Sequence, residues 1–359
     1  MSRFQKIAER LAASNLDAML IVSPSNRFYA AGFASSAGTA VVTSGGSYFF
    51  VDSRYIEAAK RTIQDAEIRM PPAAKADSVL EMTREVLEKH HVKRLGFEEN
   101  FVTVKRYGQW KNAFPFCELV PAAQLLTGLR AVKEETELES MVKAQRIAEK
   151  ALTEVLNFIR PGRTEKEISA YLQYQMLLHG AEKMSFEPIV VGGPNSSMPH
   201  GVPTERPVSD GDFLTMDFGC VYEGYCSDMT RTVAVGHVTE EMERVYQTVL
   251  QAQLAGIAAA RGGVTGKSVH EAGAKVIADA GYGAYFGHGF GHGLGIDVHE
   301  EPRFSPLNEK PVPAGAVLSA EPGIYLPGRF GVRIEDAVIV GETESRSIME
   351  APKELLILQ

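Results

Sequence analysis

The sequence predicts an α/β chain in two parts, and three observations predict it. Residues 1 to about 125 alternate helical and strand patterns. A long stretch of helical periodicity follows. After about residue 185 the texture changes to short strands with many glycines. The domains are therefore placed at 1–125 and 126–359. A length of 359 residues with 45% hydrophobic content suits two globular domains.

Each element has a local reason. Phe4, Ile7 and Leu11 fall at helical spacing with charges between them, an amphipathic first helix rather than the apolar core of a signal peptide. Ala18-Met-Leu-Ile-Val22 is a short apolar strand, ended by a turn at Ser23-Pro24-Ser25-Asn26. Thr39–Thr43 and Tyr48–Val51 flank Ser44-Gly45-Gly46-Ser47, two β-rich runs around a glycine turn. Residues 78–90 read as helix and Arg94–Phe97 as strand. This half gathers no catalytic residue types and reads as a scaffold or substrate-covering domain. Leu138, Met141, Ile147, Ala151, Leu152, Val155 and Ile159 then form one helical stripe that Pro161-Gly162 stops. Thr164 and Glu167 form a capping box that opens the next helix, carrying Ile168, Leu172 and Met176.

Bulk properties exclude several roles. A net charge of -8 and scattered basic residues argue against nucleic acid and against a membrane surface as partner. No apolar run is long enough to span a bilayer. Cys117, Cys220 and Cys226 are an odd set without framework spacing, which suggests reduced thiols in the cytoplasm.

The chemistry gathers in the second part. In Phe213-Leu-Thr-Met-Asp217-Phe-Gly-Cys220, the apolar Leu214, Met216 and Phe218 alternate with Thr215, Asp217 and Gly219, so Asp217 lies on the opposite face of a strand. A second strand, Tyr225–Val233, carries Asp228 after a turn near Glu223-Gly224. A turn centred on Tyr222-Glu223 sets Asp217 directly opposite Asp228; one centred on Glu223-Gly224 makes them diagonal neighbours. Both registers put two carboxylates on one face, which is unfavourable unless a cation lies between them. The bland alternative is a pair of surface acids flanking a turn; the apolar neighbours argue against it.

Phe286–Arg303 holds His288, His292 and His299 among glycines at 287, 289, 291, 293 and 295. In a helix interior each glycine would cost about 1 kcal/mol. In an extended chain they share one face, where another segment can come close, and His288, Phe290 and His292 share the other. His299 has the wrong parity and needs a bend to join them. A lone histidine is more often structural than a ligand; three in a glycine-paced segment point to a site. Val317-Leu-Ser-Ala-Glu321 is an apolar strand ending in an acid. Gly331–Val340 reads as one strand with Arg333 and Glu335 on one face and Val332 and Ile334 on the other; taken alone, the first two read as a cross-strand pair. Four carboxylates and one neutral imidazole balance two divalent ions. Oxygen-rich ligands with a single nitrogen and no thiolate favour manganese or cobalt over a structural zinc. Cys220 and Cys226 read as packing residues.

These segments resemble the pita-bread metallopeptidases, in particular Xaa-Pro aminopeptidases (aminopeptidase P) and Xaa-Pro dipeptidases (prolidases). The resemblance is carried by MDFG at 216–219, SDMTRT at 227–232, GHGLGIDVHE at 291–300, AEPGIY at 320–325 and VRIED at 332–336, and in the first half by Ser25–Phe33 and Leu95–Glu98. It implies a creatinase-like N-terminal α/β domain and a C-terminal pita-bread domain of antiparallel sheet covered by helices. It further implies Asp217, Asp228, His292, Glu321 and Glu335 as ligands of two divalent ions, with manganese favoured and cobalt or zinc as alternatives, and with Asp228 and Glu335 bridging. His200 and His299 take positions next to the substrate, and His288 and Arg333 match supporting positions that serve substrate binding. A homodimer is the implied assembly.

The activity this implies is hydrolysis of the Xaa-Pro bond, in dipeptides or at peptide N-termini with proline second, by a hydroxide bridging two metals. His200 and His299 would stabilise the oxyanion, and Glu321 would shuttle a proton to the leaving nitrogen. Arg303, four residues after His299, would meet the free carboxylate of a dipeptide, which tilts the expectation toward dipeptides. The rivals are a non-catalytic binding protein on the same fold and a creatinase-like hydrolase. The first would be expected to have lost ligands or to carry basic patches; the second does not keep the ligand set.

Overall fold

The computed structural model describes residues 1–72 and 78–359. It divides into two compact units, Met1–Arg130 and Ala131–Gln359.

In the first unit, α1 (Arg3–Ala13) buries Phe4, Ile7 and Leu11, the stripe its sequence marks, and Ser2 with Gln5 forms its capping box. Six strands make one sheet in the order β4-β3-β2-β1-β5-β6: β1 Ala18–Ile21, β2 Thr39–Thr43, β3 Gly46–Phe50, β4 Glu67–Arg69, β5 Arg94–Phe97 and β6 Glu118–Pro121. β1 is buried at all four residues and runs parallel to β5 and antiparallel to β2, which is why it reads as an uninterrupted apolar run. Val86 and Leu87 of α4 (Ser78–Lys89) and Trp110 of α5 (Val104–Ala113) pack on one sheet face.

The turn expected at Ser23–Asn26 is instead the start of α2 (Pro24–Ala31). Ser23 caps it by accepting Asn26 N–H at 3.3 Å, Pro24 opens it and Gly32 closes it at φ 60°. A remote partner adds to these local signals. Glu98, fully buried, accepts Val22 N–H at 2.5 Å, Ser23 N–H at 3.0 Å and Asn26 Nδ2 at 2.7 Å. α3 (Ile56–Thr62) and α6 (Ala123–Ala131) complete the helices of this stretch.

The second unit opens with α7 (Glu135–Phe158) and α8 (Glu165–Leu178); Thr164 and Glu167 form the expected capping box. Both helices cover one face of a four-stranded sheet, ordered β20-β12-β9-β8, made of β8 Ile189–Gly192, β9 Phe213–Phe218, β12 Met229–Val235 and β20 Ile357–Leu358. Leu214, Met216 and Phe218 join Ala148, Leu152 and Leu172 in the core on that face. A smaller sheet links β7 (Lys183–Met184), β10 (Cys220–Tyr222) and β11 (Tyr225–Cys226). The turn between β10 and β11 is centred on Glu223 and Gly224, both with positive φ, at 49° and 78°. β9 and β12 therefore pair Asp217 with Thr230, and Asp228 is the diagonal neighbour.

A five-stranded sheet has the order β14-β13-β15-β18-β19, from β13 Gly291–Gly293, β14 Glu300–Phe304, β15 Val317–Ala320, β18 Asp336–Val340 and β19 Ser345–Ser347. β16 (Gly323–Leu326) and β17 (Phe330–Arg333) form a hairpin. The single strand expected over Gly331–Val340 is thus two: β17 pairs with β16 and β18 with β15. The corner at Ile334-Glu335 comes from this change of partner. Val332 and Ile334 still face the core under α9 (Glu240–Ala259), as the alternation requires. The extended run expected around the histidines is a strand only over Gly291–Gly293. Phe290 sinks into the core against α9 and α10 (Gly266–Asp279), where a Cβ on Gly256 or Gly273 would lie 2.0 or 2.3 Å from its ring.

Candidate metal centre

Five side chains, each from a different segment of the chain, meet above the β9–β12 sheet face turned away from α7 and α8. Asp217 comes from the end of β9, and Asp228 precedes β12. His292 is the middle of β13. Glu321 follows β15, and Glu335 sits at the β17–β18 corner. The closest set is Asp228, His292 and Glu335, whose ligand atoms all lie within 4.8 Å of one another. Glycines permit this approach: a Cβ on Gly291 would be 1.9 Å from Ser319 O, and one on Gly219 would be 1.9 Å from Ser227 O.

The electrostatics of the cluster are those of a cation site. Burial, then the neighbouring carboxylates Glu335, Asp217 and Glu321, pushes the Asp228 carboxyl well above the ordinary range. Glu335 is raised well above it by burial and by Glu321 and Asp217, and Glu321 is raised by burial. His292 is held neutral by burial, and its Nδ1 donates to Gly293 O at 3.1 Å. That tautomer turns the Nε2 lone pair toward Glu321 Oε1 at 3.2 Å and Asp228 Oδ2 at 3.6 Å. A lone pair facing two carboxylates is repulsive unless a cation stands between them. Asp217 Oδ1 is also buried without a hydrogen-bond partner. The residues present fit divalent ions.

One positive charge is built in. Arg333 Nη2 donates to Asp217 Oδ2 at 2.6 Å, Nη1 to Tyr325 Oη at 3.0 Å and to Pro199 O at 3.2 Å, and Nε to Thr230 Oγ1 at 3.0 Å. Thr230 in turn donates to Glu335 Oε2 at 2.7 Å. Arg333 therefore touches one carboxylate directly and a second through a hydroxyl, and it adds a charge to the tally of four carboxylates against two divalent ions.

The other predicted residues fall around this cluster. His288 donates from Nδ1 to Gly289 O at 2.8 Å, and its Nε2 accepts from Tyr325 Oη at 3.0 Å; burial lowers its pKa. His299 lies with its ring centroid 4.2 Å from that of His292. The bend its parity demands is supplied by the register shift between His292 and Gly293 and by the loop at 294–299. His200 is exposed, within electrostatic reach of His288 and His299, and the preceding Pro199 carbonyl is tied to Arg333. Arg303 is the cross-strand partner of His292 and pairs with Glu301 at 3.2 Å. Cys220 and Cys226 are buried with free thiols, pushed up to about 11 and about 12 by burial, and donate to carbonyls; they are packing groups.

Sequence reasoning missed Thr230, Ser319 and Tyr325. Ser319 donates to Glu321 Oε1 and accepts His292 N–H, each at 2.9 Å. Strand parity held the signal for two of them, since Ser319 is two residues before Glu321 and Thr230 two after Asp228. Tyr325 carried none, because its partners are brought to it by other segments, His288 from a loop and Arg333 from β17.

Comparison with known proteins agrees with this architecture. Residues 139–342 match the model of metallopeptidase family M24, and residues 3–132 match the creatinase/prolidase N-terminal domain. An uncharacterized peptidase of Bacillus subtilis is 40% identical over 99% of this chain and 100% of its own length. A Xaa-Pro dipeptidase from Bacillus anthracis superposes with a TM-score of 0.94 at 36% identity, covering 99% of both chains. An X-Pro aminopeptidase from Thermotoga maritima superposes with a TM-score of 0.90 at 34% identity, covering 96% of this chain and 98% of its own. With its antiparallel sheets, covering helices and acidic cluster, the chain belongs to metallopeptidase family M24 and carries the creatinase/prolidase N-terminal domain.

Proposed function

We propose that this metallopeptidase hydrolyses the bond before proline in short peptides, with Asp217, Asp228, His292, Glu321 and Glu335 holding two divalent ions and Asp228 and Glu335 shared between them. The observation that carries the reading is the buried set Asp228, His292 and Glu335, with the His292 Nε2 lone pair turned onto two carboxylates. Four carboxylates, one imidazole and no thiolate suit manganese, with cobalt or zinc as alternatives. When bound, such ions supply Lewis acidity to the scissile carbonyl and acidify the attacking water.

The chain's own groups do the rest. The prolyl nitrogen is a tertiary amide without N–H, so it must receive a proton to leave. Glu321, whose carboxyl is raised by burial, accepts a proton at its carboxylate and passes it to that nitrogen. His299 is kept neutral by burial, and with His200 it donates N–H to the oxyanion that develops on the carbonyl. His288 and Arg333 hold Tyr325 and Asp217 in place along the substrate side. Arg303, alongside His292, would meet the carboxylate of a dipeptide, which favours dipeptides over longer peptides. The three free cysteines suit a reducing, cytoplasmic setting, and a homodimer is the proposed assembly. No helix of the described residues is long and apolar enough to cross a membrane.

The test is hydrolysis of Ala-Pro, Ala-Pro-Ala and Ala-Ala-Ala by metal-stripped protein, before and after adding manganese. Manganese-dependent cleavage of Ala-Pro alone supports a dipeptidase, and cleavage of Ala-Pro-Ala an aminopeptidase. No cleavage of either by metal-loaded protein overturns the proposal.

A further inference from the structure

We infer that Lys133 is a positioning residue for His299, acting through the carboxylate of Glu300. Lys133 Nζ lies 3.3 Å from Glu300 Oε2, and the two side chains are only 2% and 6% exposed. Neither belongs to the acidic cluster, and no step of the hydrolysis described above uses them.

Glu300 is placed to set the loop that carries His299. It is the first residue of β14 and pairs with Gly293 just after the register shift. Its Oε1 accepts Asp297 N–H at 3.0 Å and so closes the loop on itself. Gly295 lies beneath the carboxylate, where a Cβ would be 2.8 Å from both oxygens. The other end of the loop is tied as well: Cys226 N–H donates to Gly295 O at 2.8 Å and Leu294 N–H to Val317 O at 3.0 Å. His299 leaves this closed loop next to Glu300.

Lys133 is itself held at a defined height. Its N–H donates to Gly315 O at 3.0 Å, and Val132 bridges to Ala316, directly before β15. One ammonium thus relates the strand that delivers Glu321 to the loop that delivers His299. Buried ion pairs add little net stability against apolar substitutes, but removing one partner is costly. Losing Lys133 removes the ammonium 3.3 Å from Glu300 Oε2, and with it this tie between the His299 loop and the chain next to β15.

This inference rests on the role proposed for His299, and the experiment separates the two. Manganese-loaded full-length protein is assayed on whichever of Ala-Pro and Ala-Pro-Ala it cleaves, as wild type, Lys133→Met, His299→Ala and the double variant. Manganese affinity is measured by calorimetry on each. Lys133→Met is expected to lower kcat/KM on the order of 10- to 100-fold with unchanged manganese affinity. The double variant should be no worse than His299→Ala, because Lys133 acts through that ring, and Lys133→Arg should recover most of the activity. Should Lys133→Met not fold, the same cycle is run with Glu300→Gln, which keeps the Asp297 hydrogen bond and removes the charge. Losses that multiply in the double variant, or that follow lost manganese, overturn the inference. So does a Lys133→Met protein with wild-type kcat/KM while His299→Ala is impaired. If His299→Ala is itself fully active, the role of His299 fails first and the inference falls with it.

Discussion

Arg333 reaches back 116 residues along the chain to donate from Nη2 to Asp217 Oδ2 at 2.6 Å, inside a cluster of four carboxylates. The same guanidinium holds Tyr325, Thr230 and the Pro199 carbonyl, so its flat, forked shape matters as much as its charge.

Arg333→Lys keeps the charge and loses the fork. It is expected to lower kcat/KM by at least about tenfold, comparable to other losses of residues that orient metal ligands. Steady-state kinetics with parallel manganese titration checks this; wild-type kcat/KM would show that only the charge is needed.

Asp228→Asn and Glu335→Gln are each expected to abolish tight manganese binding together with activity. In metal-stripped protein the same substitutions remove a buried, repelled charge, so they should raise Tm. Opposite signs in metal-free Tm and in metal affinity mark a ligand; a variant that loses both has a damaged fold.

The metal-free protein should lose stability as pH rises. Asp228, Glu321 and Glu335 are raised in the folded state, so above the unfolded carboxylate pKa the folded state binds more protons than the unfolded one. Their contribution is complete below that pKa and is lost as pH climbs through the folded values. Melting curves with and without manganese should therefore diverge with increasing pH, the metal raising Tm more at pH 8 than at pH 6. A gap that narrows with pH would contradict these shifts.

Phe290 fills the cleft that Gly256 and Gly273 leave open. Phe290→Ala is expected to cost about 3–5 kcal/mol in denaturant unfolding, the usual range for emptying a buried aromatic site. A loss below about 1 kcal/mol would mean that α9 and α10 close over the vacated space.

Arg303→Ala should raise KM for Ala-Pro and leave Ala-Pro-Ala unaffected, because only the dipeptide places its carboxylate next to the scissile bond. Equal effects on both substrates would remove Arg303 from dipeptide recognition.

Much of this protein is written in short stretches of its sequence. Thr164 and Glu167 determine where α8 begins, and the alternation of Leu214, Met216 and Phe218 determines which face Asp217 occupies. These follow from backbone periodicity and from hydrogen bonds a few residues long, which depend little on the rest of the chain. Other features are decided only in three dimensions. The Glu223-Gly224 turn chose between two registers that local pattern left open. Glu98 ties the start of α2 to a strand about 75 residues on, and the exchange of partners between β17 and β18 put Glu335 on a corner. The reach of Arg333 to Asp217 and the grip of Lys133 on Glu300 have the same origin. Each joins residues far apart in the chain, and such distances are set by how strands and helices pack, which no local periodicity encodes.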